Sequence, residues 1–377
     1  MNSPDLGFLW LLAIPLLPYL VYVLQDVTFI SGVGYILLLF ITYHVIQKVV
    51  GVFKISNLDK RAVFISGCDT GFGNLLAIKC LRRGMPVFAG CLTEKGAADL
   101  RDASASHPGK LETLIVNVAS DESVEAAAKY LGIATKPYGG LHGIVNNAGI
   151  VGSHFYDDML TLDNYREVVE VNAFGVIRVT KAMKHLVKKT RGRIVAVTSI
   201  CARVGLRGIG PYTVSKYAAT AYCEVIRQEL HHFGVSVHIL EPGFFNTPMN
   251  DETLAKARMD KVWANTPETV KQEYGERFFV EGREKTISLM TKFGSPKVDL
   301  VVDAYFHALT AQFPRLRYHL GMDSKLFFVP MSYLPTGLRD AILHTIAKII
   351  GEPVPEWKQW RRPKKERDKY KCAIISS

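Results

Sequence analysis

The sequence predicts an α/β protein with a single doubly wound parallel sheet, an N-terminal membrane anchor and a C-terminal extension. Three observations support this prediction. Short apolar segments alternate with longer helical segments between about residues 60 and 320, the first 53 residues hold two long apolar runs, and the last residues are densely basic. We therefore expect an anchor over residues 1–53, the sheet domain over 54–322, and an apolar segment with a basic tail over 323–377.

The two apolar runs of the anchor are Gly7–Leu24 and Val27–Ile46. The second is long enough to cross a hydrocarbon core of about 30 Å as a helix, whereas the first is borderline in length and contains Pro15 and Pro18. A cleaved signal peptide is an alternative for the first run, but acidic Asp5 and no basic residue precede it. Basic residues follow the second run, so we expect a cytosolic domain after either a tight hairpin or one span with an interfacial segment.

Six strand candidates follow, and their nearly continuous apolar character is typical of strands buried on both faces of a parallel sheet. They read AVFIS, PVFAG, LETLIVNV, LHGIVNN, RIVAVTS and VSVHILE. The crossover helices are expected between them, at Gly73–Arg83, Asp121–Lys136, Asp163–Lys189 and Tyr212–Phe233. In such sheets a ligand binds beyond the carboxyl ends of the strands, so the loops after the strands should carry the functional site.

The loop after the first strand, SGCDTGFG, contains three glycines that allow a tight turn and the close approach of a pyrophosphate to a helix N-terminus. Its spacing differs from Gly-x-Gly-x-x-Gly, so the turn alone is weak evidence for a nucleotide. Its candidate cofactor-binding residues are Gly67, Asp69, Thr70, Gly71, Phe72 and Gly73.

Polar motifs also follow the later strands. NNAG follows the fourth strand, Ser199 ends the fifth, and EPGFFNTPM follows the sixth. Tyr212 and Lys216 lie four residues apart on a predicted helix and therefore share one face of it. All of these motifs fall on the side of the sheet where a ligand is expected.

The glycine turn, Asn-Asn-Ala-Gly, serine, Tyr-x-x-x-Lys and Pro-Gly occur here in the order and at the separations of the short-chain dehydrogenase/reductase family, which the chain resembles over about residues 60 to 320. SGCDTGFG, CLTEKGA, VNAFGVIRVT and ELHHFGVSVHILEPGFFNT are similar to the membrane-bound branch of retinol and 17β-hydroxysteroid dehydrogenases, and KLFFVPMSYLPT resembles that branch's C-terminal segment. The resemblance implies a Rossmann-type fold and hydride transfer between a nicotinamide and an alcohol or ketone.

In this family's reaction Tyr212 would exchange the substrate proton, acting as acid or base. A free phenol has a pKa near 10, so a cation is needed to favour the phenolate, and Lys216 would supply it while binding the cofactor ribose. Ser199 would orient the substrate oxygen. Asn172 matches the family's fourth catalytic position, where it supports the lysine in a proton relay. The alternative is a catalytically silent nucleotide or lipid binder that kept the fold.

The expected cofactor is NAD, with NADP less favoured. The glycine turn holds Asp69 and Thr70 where a 2′-phosphate would call for Arg or Lys, but the tip of the second strand lacks an acidic residue and Glu94 lies slightly late. Asn117 stands where the family commonly places Asp against the adenine. Cofactor-binding candidates beyond the glycine turn are Asn117, Asn146, Ala148, Gly149, Tyr212, Lys216, Pro242, Gly243 and Thr247.

The expected substrate is a lipophilic alcohol or ketone, most simply a retinol or hydroxysteroid, because the anchor places the site beside a reservoir of such molecules. A cover after EPGFFNT carries Trp263, Tyr274, Phe278 and Phe279, which either line the substrate site or pack within the cover. The apolar segment Lys325–Ile350 either dips into the membrane or packs on the core. We further expect attachment to the endoplasmic reticulum membrane and, from the family's dimer surface, a homodimer.

The chain has a formal net charge of +11, and eight basic residues against three acidic ones lie in Glu356–Lys371. This tail is read as solvated, with an interfacial membrane anchor as the alternative; no nucleic-acid recognition motif accompanies it. The six cysteines show no metal-ligand spacing, so we expect free thiols and no metal site.

Overall fold

The structure is a computed structural model that describes residues 29–356. Residues 29–56 with residues 310–315 form one compact unit, and residues 57–309 with residues 316–356 form a second. Helix α1 (Phe29–Val50) belongs to the first unit. The basic tail beyond Glu356 and the apolar run Gly7–Leu24 lie outside the described residues.

Within the first unit, α1 exposes apolar side chains such as Leu37 and Phe40, which are 56% and 60% exposed. The chain after α1 pairs with residues 310–312: Ile55 N donates to Thr310 O at 2.8 Å, and Gln312 N donates to Phe53 O at 2.7 Å. Over residues 29–356 no helix combines the length and the apolar character needed to span a membrane.

The second unit contains seven parallel strands in the order β3-β2-β1-β4-β5-β6-β7, which confirms the predicted Rossmann-type doubly wound sheet. The chain direction across the sheet reverses between β1 and β4, so the crevice expected for a ligand lies there. The strands are β1 (Val63–Ser66), β2 (Val87–Cys91), β3 (Leu111–Ile115), β4 (Gly143–Asn146), β5 (Arg193–Val197), β6 (Ser236–Pro242) and β7 (Arg317–Leu320).

Helices cover both faces of this sheet. One face is filled by side chains such as Leu76 and Tyr305, and the other by Leu131, Met183 and Ile226, all buried. The helices are α2 (Gly71–Arg82), α3 (Glu94–Ser104), α4 (Asp121–Ala134), α5 (Leu162–Val169), α6 (Gly175–Thr190), α7 (Gly210–His231), α8 (Glu252–Ala264), α9 (Glu268–Tyr274), α10 (Glu276–Phe293), α11 (Asp299–Thr310), α12 (Val329–Ser332) and α13 (Thr336–Ile349).

Two features differ from the expectation. The helix predicted over Asp163–Lys189 is divided into α5 and α6 by a π-helical turn, Glu170–Phe174, of the kind that is frequent at functional sites. Strand β7 was not predicted. It is an edge strand of four residues, and because Arg317 and His319 alternate with buried Tyr318 and Leu320, it lacks the continuous apolar run of the central strands.

The cover after β6 consists of α8, α9 and α10. Phe278 and Phe279 are 2% and 3% exposed, Trp263 stacks on Phe279 at 4.7 Å between ring centroids, and Tyr274 packs on Phe278 at 5.0 Å. All four expected aromatic side chains therefore take part in packing within the cover. This agrees with the second of the two alternatives.

The C-terminal apolar segment packs on the core. Phe328 and Met331 are buried with Ile200 and Val204, and Tyr212 lies against the same cluster. The five cysteines within the described residues are free and buried.

Candidate active site

The glycine turn joins β1 to the N-terminus of α2. Gly67 and Gly71 have φ values of +71° and +66°, in the left-handed region that favours glycine. A Cβ on Gly67 would lie 2.8 Å from Ala148 Cα, and one on Gly73 would overlap the Gly67 carbonyl oxygen and Asn147 Nδ2. The turn is therefore packed directly against the NNAG loop.

The contact between the two loops depends on three residues that the sequence analysis did not single out. Ser66 Oγ accepts hydrogen bonds from the backbone N–H groups of Asn147 and Ala148, both at 3.1 Å. Asn147 Nδ2 donates to the carbonyl oxygens of Ser66 and Gly67 at 3.0 Å, and its Oδ1 accepts from the buried hydroxyl of Tyr305 at 3.1 Å. Asn147 stands within the NNAG motif, whereas nothing near Tyr305 in the sequence indicates this role.

Asp69 reaches from the glycine turn to the tip of β2. Its carboxylate accepts from Leu92 N at 2.7 Å, from Thr93 N at 2.9 Å and from Thr93 Oγ1 at 2.8 Å. The sequence shows no acid at this strand tip. The structure supplies one there, because the loops after neighbouring parallel strands lie side by side.

Beside the turn is a cleft of about 370 Å³. Asp69, Thr70, Gly71 and Phe72 line one part of it, and Thr247 with its neighbours lines another. The structure thus brings the first and the last motif of the predicted site to the same cleft.

Two predicted amides are already engaged within the protein. Asn146 Nδ2 donates to Thr180 Oγ1 at 2.9 Å, while its buried Oδ1 has no hydrogen-bond partner. Asn117 Oδ1 accepts from Ala119 N at 3.0 Å, so the carboxamide shapes the turn after β3.

Tyr212 and Lys216 lie on one face of α7. Lys216 Nζ is 5.4 Å from the centroid of the Tyr212 ring and donates to Val197 O at 3.2 Å. Lys216 is only 5% exposed, and its burial lowers its pKa to about 8. An ammonium with this pKa remains largely charged at neutral pH.

Burial raises the pKa of the Tyr212 phenol above its ordinary value, and a hydrogen bond with Ser199 acts in the opposite direction. This direction differs from the expected lowering, because removal from water disfavours the phenolate more strongly than its neighbours favour it. Ser199 follows β5, and its Oγ also accepts from Cys201 N at 3.1 Å. The hydroxyl groups of Ser199 and Tyr212 therefore lie within hydrogen-bonding reach of each other.

Asn172 lies inside the π-helical turn and is fully buried. Its carboxamide bonds the backbone of Ile150 twice, accepting from Ile150 N and donating to Ile150 O, both at 2.8 Å, and it donates to Ser215 Oγ at 3.0 Å. A Cβ on Gly149 would lie 3.0 Å from Asn172 Oδ1 and 3.5 Å from Lys216 Nζ. The amide and the ammonium thus lie beside the same glycine.

These residues fit a dinucleotide cofactor. The glycine turn exposes a helix N-terminus next to a cleft, and the close contacts at Gly67 and Gly73 leave no room for side chains there. Within the described residues, every predicted site residue lies at or next to the carboxyl ends of the strands or on α7 and the π-helical turn.

Comparison with known proteins agrees with this geometry. The sequence pattern of the family described as short chain dehydrogenase matches residues 61–258. The chain is 43% identical over 289 residues to 17-beta-hydroxysteroid dehydrogenase type 6 of Bos taurus, covering 77% of this chain and 89% of that protein. It is 42% identical over 290 residues to retinol dehydrogenase 7 of Rattus norvegicus, covering 77% and 90%.

Among solved structures, a short chain dehydrogenase/reductase from Burkholderia phymatum in complex with NAD superposes with a TM-score of 0.59 at 20% identity, covering 74% of this chain and 94% of that one. A 7 alpha-hydroxysteroid dehydrogenase complexed with NADH and 7-oxo glycochenodeoxycholic acid gives 0.55 at 19% identity, covering 71% and 95%. At this identity the structures show a shared fold. Together with the sequence matches, they establish that the chain belongs to the short-chain dehydrogenase/reductase family and is an NAD(P)-dependent oxidoreductase of that family.

Proposed function

We propose that this protein oxidises a lipophilic secondary or primary alcohol, or reduces the corresponding carbonyl, and that its substrate is a hydroxysteroid or a retinol. The observation that carries the proposal is the placement of Tyr212 beside Lys216 on one face of α7 and against an apolar cluster, with Ser199 at its hydroxyl. Phe328 and Met331 contribute to that cluster. Relatives at 42–45% identity are named as hydroxysteroid and retinol dehydrogenases, which supports the same substrate class.

In the proposed oxidation, Ser199 donates a hydrogen bond to the alcohol oxygen and holds it beside Tyr212. The Tyr212 oxygen takes the hydroxyl proton, and in the reverse reaction it returns that proton to the carbonyl oxygen. A bound nicotinamide would supply the hydride acceptor and a positive charge at the site. Lys216 adds the protein's own positive charge next to the phenol.

Asn172 is the proposed relay member. Its carboxamide lies beside Gly149 together with the Lys216 ammonium, and it fixes the backbone of Ile150 on the other side. In this arrangement Asn172 holds the backbone beside the Lys216 ammonium in place, which is the support that the proposed relay requires.

NAD is the proposed cofactor in preference to NADP. The glycine turn and Thr247 would hold the pyrophosphate side of the cleft, and the Asp69 carboxylate at the tip of β2 would repel a 2′-phosphate and accept from a free 2′-hydroxyl. The three hydrogen bonds to the backbone and hydroxyl of residues 92–93 fix that charge in place.

We further propose attachment to the endoplasmic reticulum membrane through the N-terminal region, with a cytosolic catalytic domain. The two apolar runs and the exposed apolar side chains of α1 support this proposal. Extraction of the full chain from microsomes at alkaline pH, compared with a chain lacking residues 1–53, tests it. Equal release of both chains would contradict the anchor.

A homodimer is proposed from apolar side chains that remain exposed on the helices of the family's dimer surface. Val214, Tyr217 and Val225 on α7 are 49%, 42% and 55% exposed. Light scattering of the detergent-solubilised chain tests this, and a monomer at all concentrations would contradict it.

The decisive experiment measures NADH formation by the full chain with a panel of retinols and hydroxysteroids, for the wild type, Tyr212→Phe and Tyr130→Phe. Tyr130→Phe removes a hydroxyl from an exposed position on α4 and serves as the control. We expect Tyr212→Phe to lower kcat by about 10²-fold or more, because general acid–base catalysis typically contributes that much. Full activity of Tyr212→Phe would refute the catalytic assignment, and inactivity of all three chains with retained NADH binding would favour a silent binder.

A further inference from the structure

The turn after β6 is formed by Pro242, Gly243 and Phe244. Its first residue has no backbone N–H, so Gly243 and Phe244 are the residues of the turn whose backbone can donate hydrogen bonds. Both donors are used: Gly243 bonds to the last residue of β7, and Phe244 bonds to the segment that follows β7.

The end of β7 and the segment after it make three hydrogen bonds to the turn and to the residue before it. Gly243 N donates to Leu320 O at 2.8 Å, and Phe244 N donates to Asp323 Oδ2 at 2.8 Å. Just before the turn, Glu241 O accepts from the buried hydroxyl of Ser324 at 3.3 Å. Of the two backbone N–H groups of the turn, the one of Phe244 donates to a side chain, and that side chain is the Asp323 carboxylate.

The carboxylate fits between two glycines. A Cβ on Gly243 would overlap both oxygens of Asp323, and one on Gly321, whose φ is +100°, would overlap Oδ1. The two glycines therefore leave open the space that the Asp323 carboxylate occupies.

The turn connects Asp323 with the apolar side of the active site. The ring of Phe244 lies 6.0 Å from that of Phe328, in the apolar cluster that also contacts Tyr212. The Asp323 carboxylate is also close enough to Cys201, two residues after Ser199, to raise the pKa of that thiol, although burial is the main cause.

From these contacts we infer that Asp323 is a positioning residue, which sets the backbone of the 242–244 turn and, through it, the cofactor affinity and the apolar wall at Phe244. This inference rests on the proposed function, because the turn leads to Thr247, which is proposed to hold the cofactor at the cleft. Strand β7, which the sequence did not predict, pairs with β6, and the segment that follows β7 therefore places Asp323 next to the C-terminal end of β6.

The test uses the full chain in detergent with four substitutions. Asp323→Asn keeps an acceptor of the same length, Asp323→Ala removes the acceptor, and Asp323→Glu keeps the charge but is one methylene longer. Asp340→Ala removes an exposed carboxylate on α13 and is the control, since its partner Arg339 is 3.9 Å away. The measurements are hydrogen exchange of the peptide containing Phe244 without cofactor, NADH affinity by fluorescence, and kcat and KM for NAD.

We expect Asp323→Ala to speed exchange at Phe244 and to weaken NADH binding, each by about tenfold, the equivalent of one lost hydrogen bond to a charged acceptor. Asp323→Asn should stay within about threefold of the wild type, since a carboxamide oxygen accepts in the same place. Asp323→Glu should be at least as impaired as Asp323→Ala, and the loss should fall on KM for NAD more than on kcat. Asp340→Ala should match the wild type.

The inference would be overturned if Asp323→Ala kept the wild-type exchange rate at Phe244 and the wild-type NADH affinity. It would also be overturned if Asp323→Glu bound NADH more tightly than Asp323→Asn, because the charge at this position and not the length of the side chain would then matter. If the alanine variant does not fold, the order of the Asn and Glu variants still decides. Failure of the proposed function has a different result: a wild-type chain that binds no NADH, while the exchange data continue to report on the turn.

Discussion

Replacing Gly73 by alanine tests how the glycine turn is packed. Gly73 is the third residue of α2, and helix propensity alone predicts that alanine is better there by up to about 1 kcal/mol. The tertiary contacts predict the opposite. The new Cβ would lie closer than 3.0 Å to the Gly67 carbonyl oxygen and to Asn147 Nδ2.

Neither atom can move aside easily. Asn147 Nδ2 is bonded to the carbonyl oxygens of Ser66 and Gly67, and Asn147 Oδ1 is held by Tyr305. Overpacking at such a site costs about 1–3 kcal/mol, so after a propensity gain of about 1 kcal/mol the free energy of unfolding should fall by up to about 2 kcal/mol. For a domain of this size that corresponds to a decrease of up to roughly 8 °C in Tm. NADH affinity should fall by about tenfold or more, because the helix N-terminus is displaced from the cleft.

Gly132→Ala is the matched control. Gly132 also lies within a helix, α4, and a Cβ there would meet nothing within 4 Å. It should raise the unfolding free energy by up to about 1 kcal/mol and leave NADH binding unchanged. Thermal unfolding and NADH fluorescence titration of both variants are the assays. If the two variants respond alike, the close contact at Gly73 does not govern the turn and the packing argument fails.

Three further predictions concern charge. Asp69→Asn keeps one of the two acceptor oxygens and removes the charge at the tip of β2, so the ratio of NADP to NAD efficiency should rise by about tenfold or more; an unchanged ratio in steady-state kinetics argues against an electrostatic origin of the preference. Because burial raises the pKa of Tyr212, kcat/KM for alcohol oxidation should increase with pH from about pH 6 to 8 as the phenolate fraction grows, and a flat or falling profile excludes this base. Glu241→Gln should destabilise the fold by about 3–5 kcal/mol near neutral pH, because Arg203 and Arg317 lose a buried carboxylate partner. Burial favours the neutral form of Glu241, but its hydrogen bonds and the neighbouring charges outweigh burial and lower its pKa, so its stabilisation is present above the unfolded pKa of about 4.3 and is lost as pH falls through the folded value. Denaturant unfolding of both chains should show the difference shrinking in acid, and a pH-independent difference contradicts the linkage.

The local patterns of the chain were enough to predict the class of fold and six of the seven strands. A strand that is buried on both faces shows in the sequence as a run of consecutive apolar residues. Each motif follows its strand directly in the sequence. The shared face of Tyr212 and Lys216 follows from helix geometry over four residues. These are short-range relations, and the sequence itself contains them.

Other features depend on which residues meet across long separations. Asp69 provides the acid at the tip of β2 only because the loops after β1 and β2 are adjacent, and the π-helical turn at Asn172 arises from its bonds to Ile150 and Ser215. The pKa of Tyr212 rises because the C-terminal segment helps to bury the site.

The sequence by itself determined the doubly wound sheet and the family motifs in their order, since backbone propensity, apolar pattern and motif spacing act locally. Only the tertiary structure decided that a short polar edge strand completes the sheet and brings Asp323 to the turn after β6. Such contacts are set by packing between elements that are distant in the chain. A segment with a weak local pattern, such as β7, takes its conformation from the burial and hydrogen bonding that its neighbours in the fold provide.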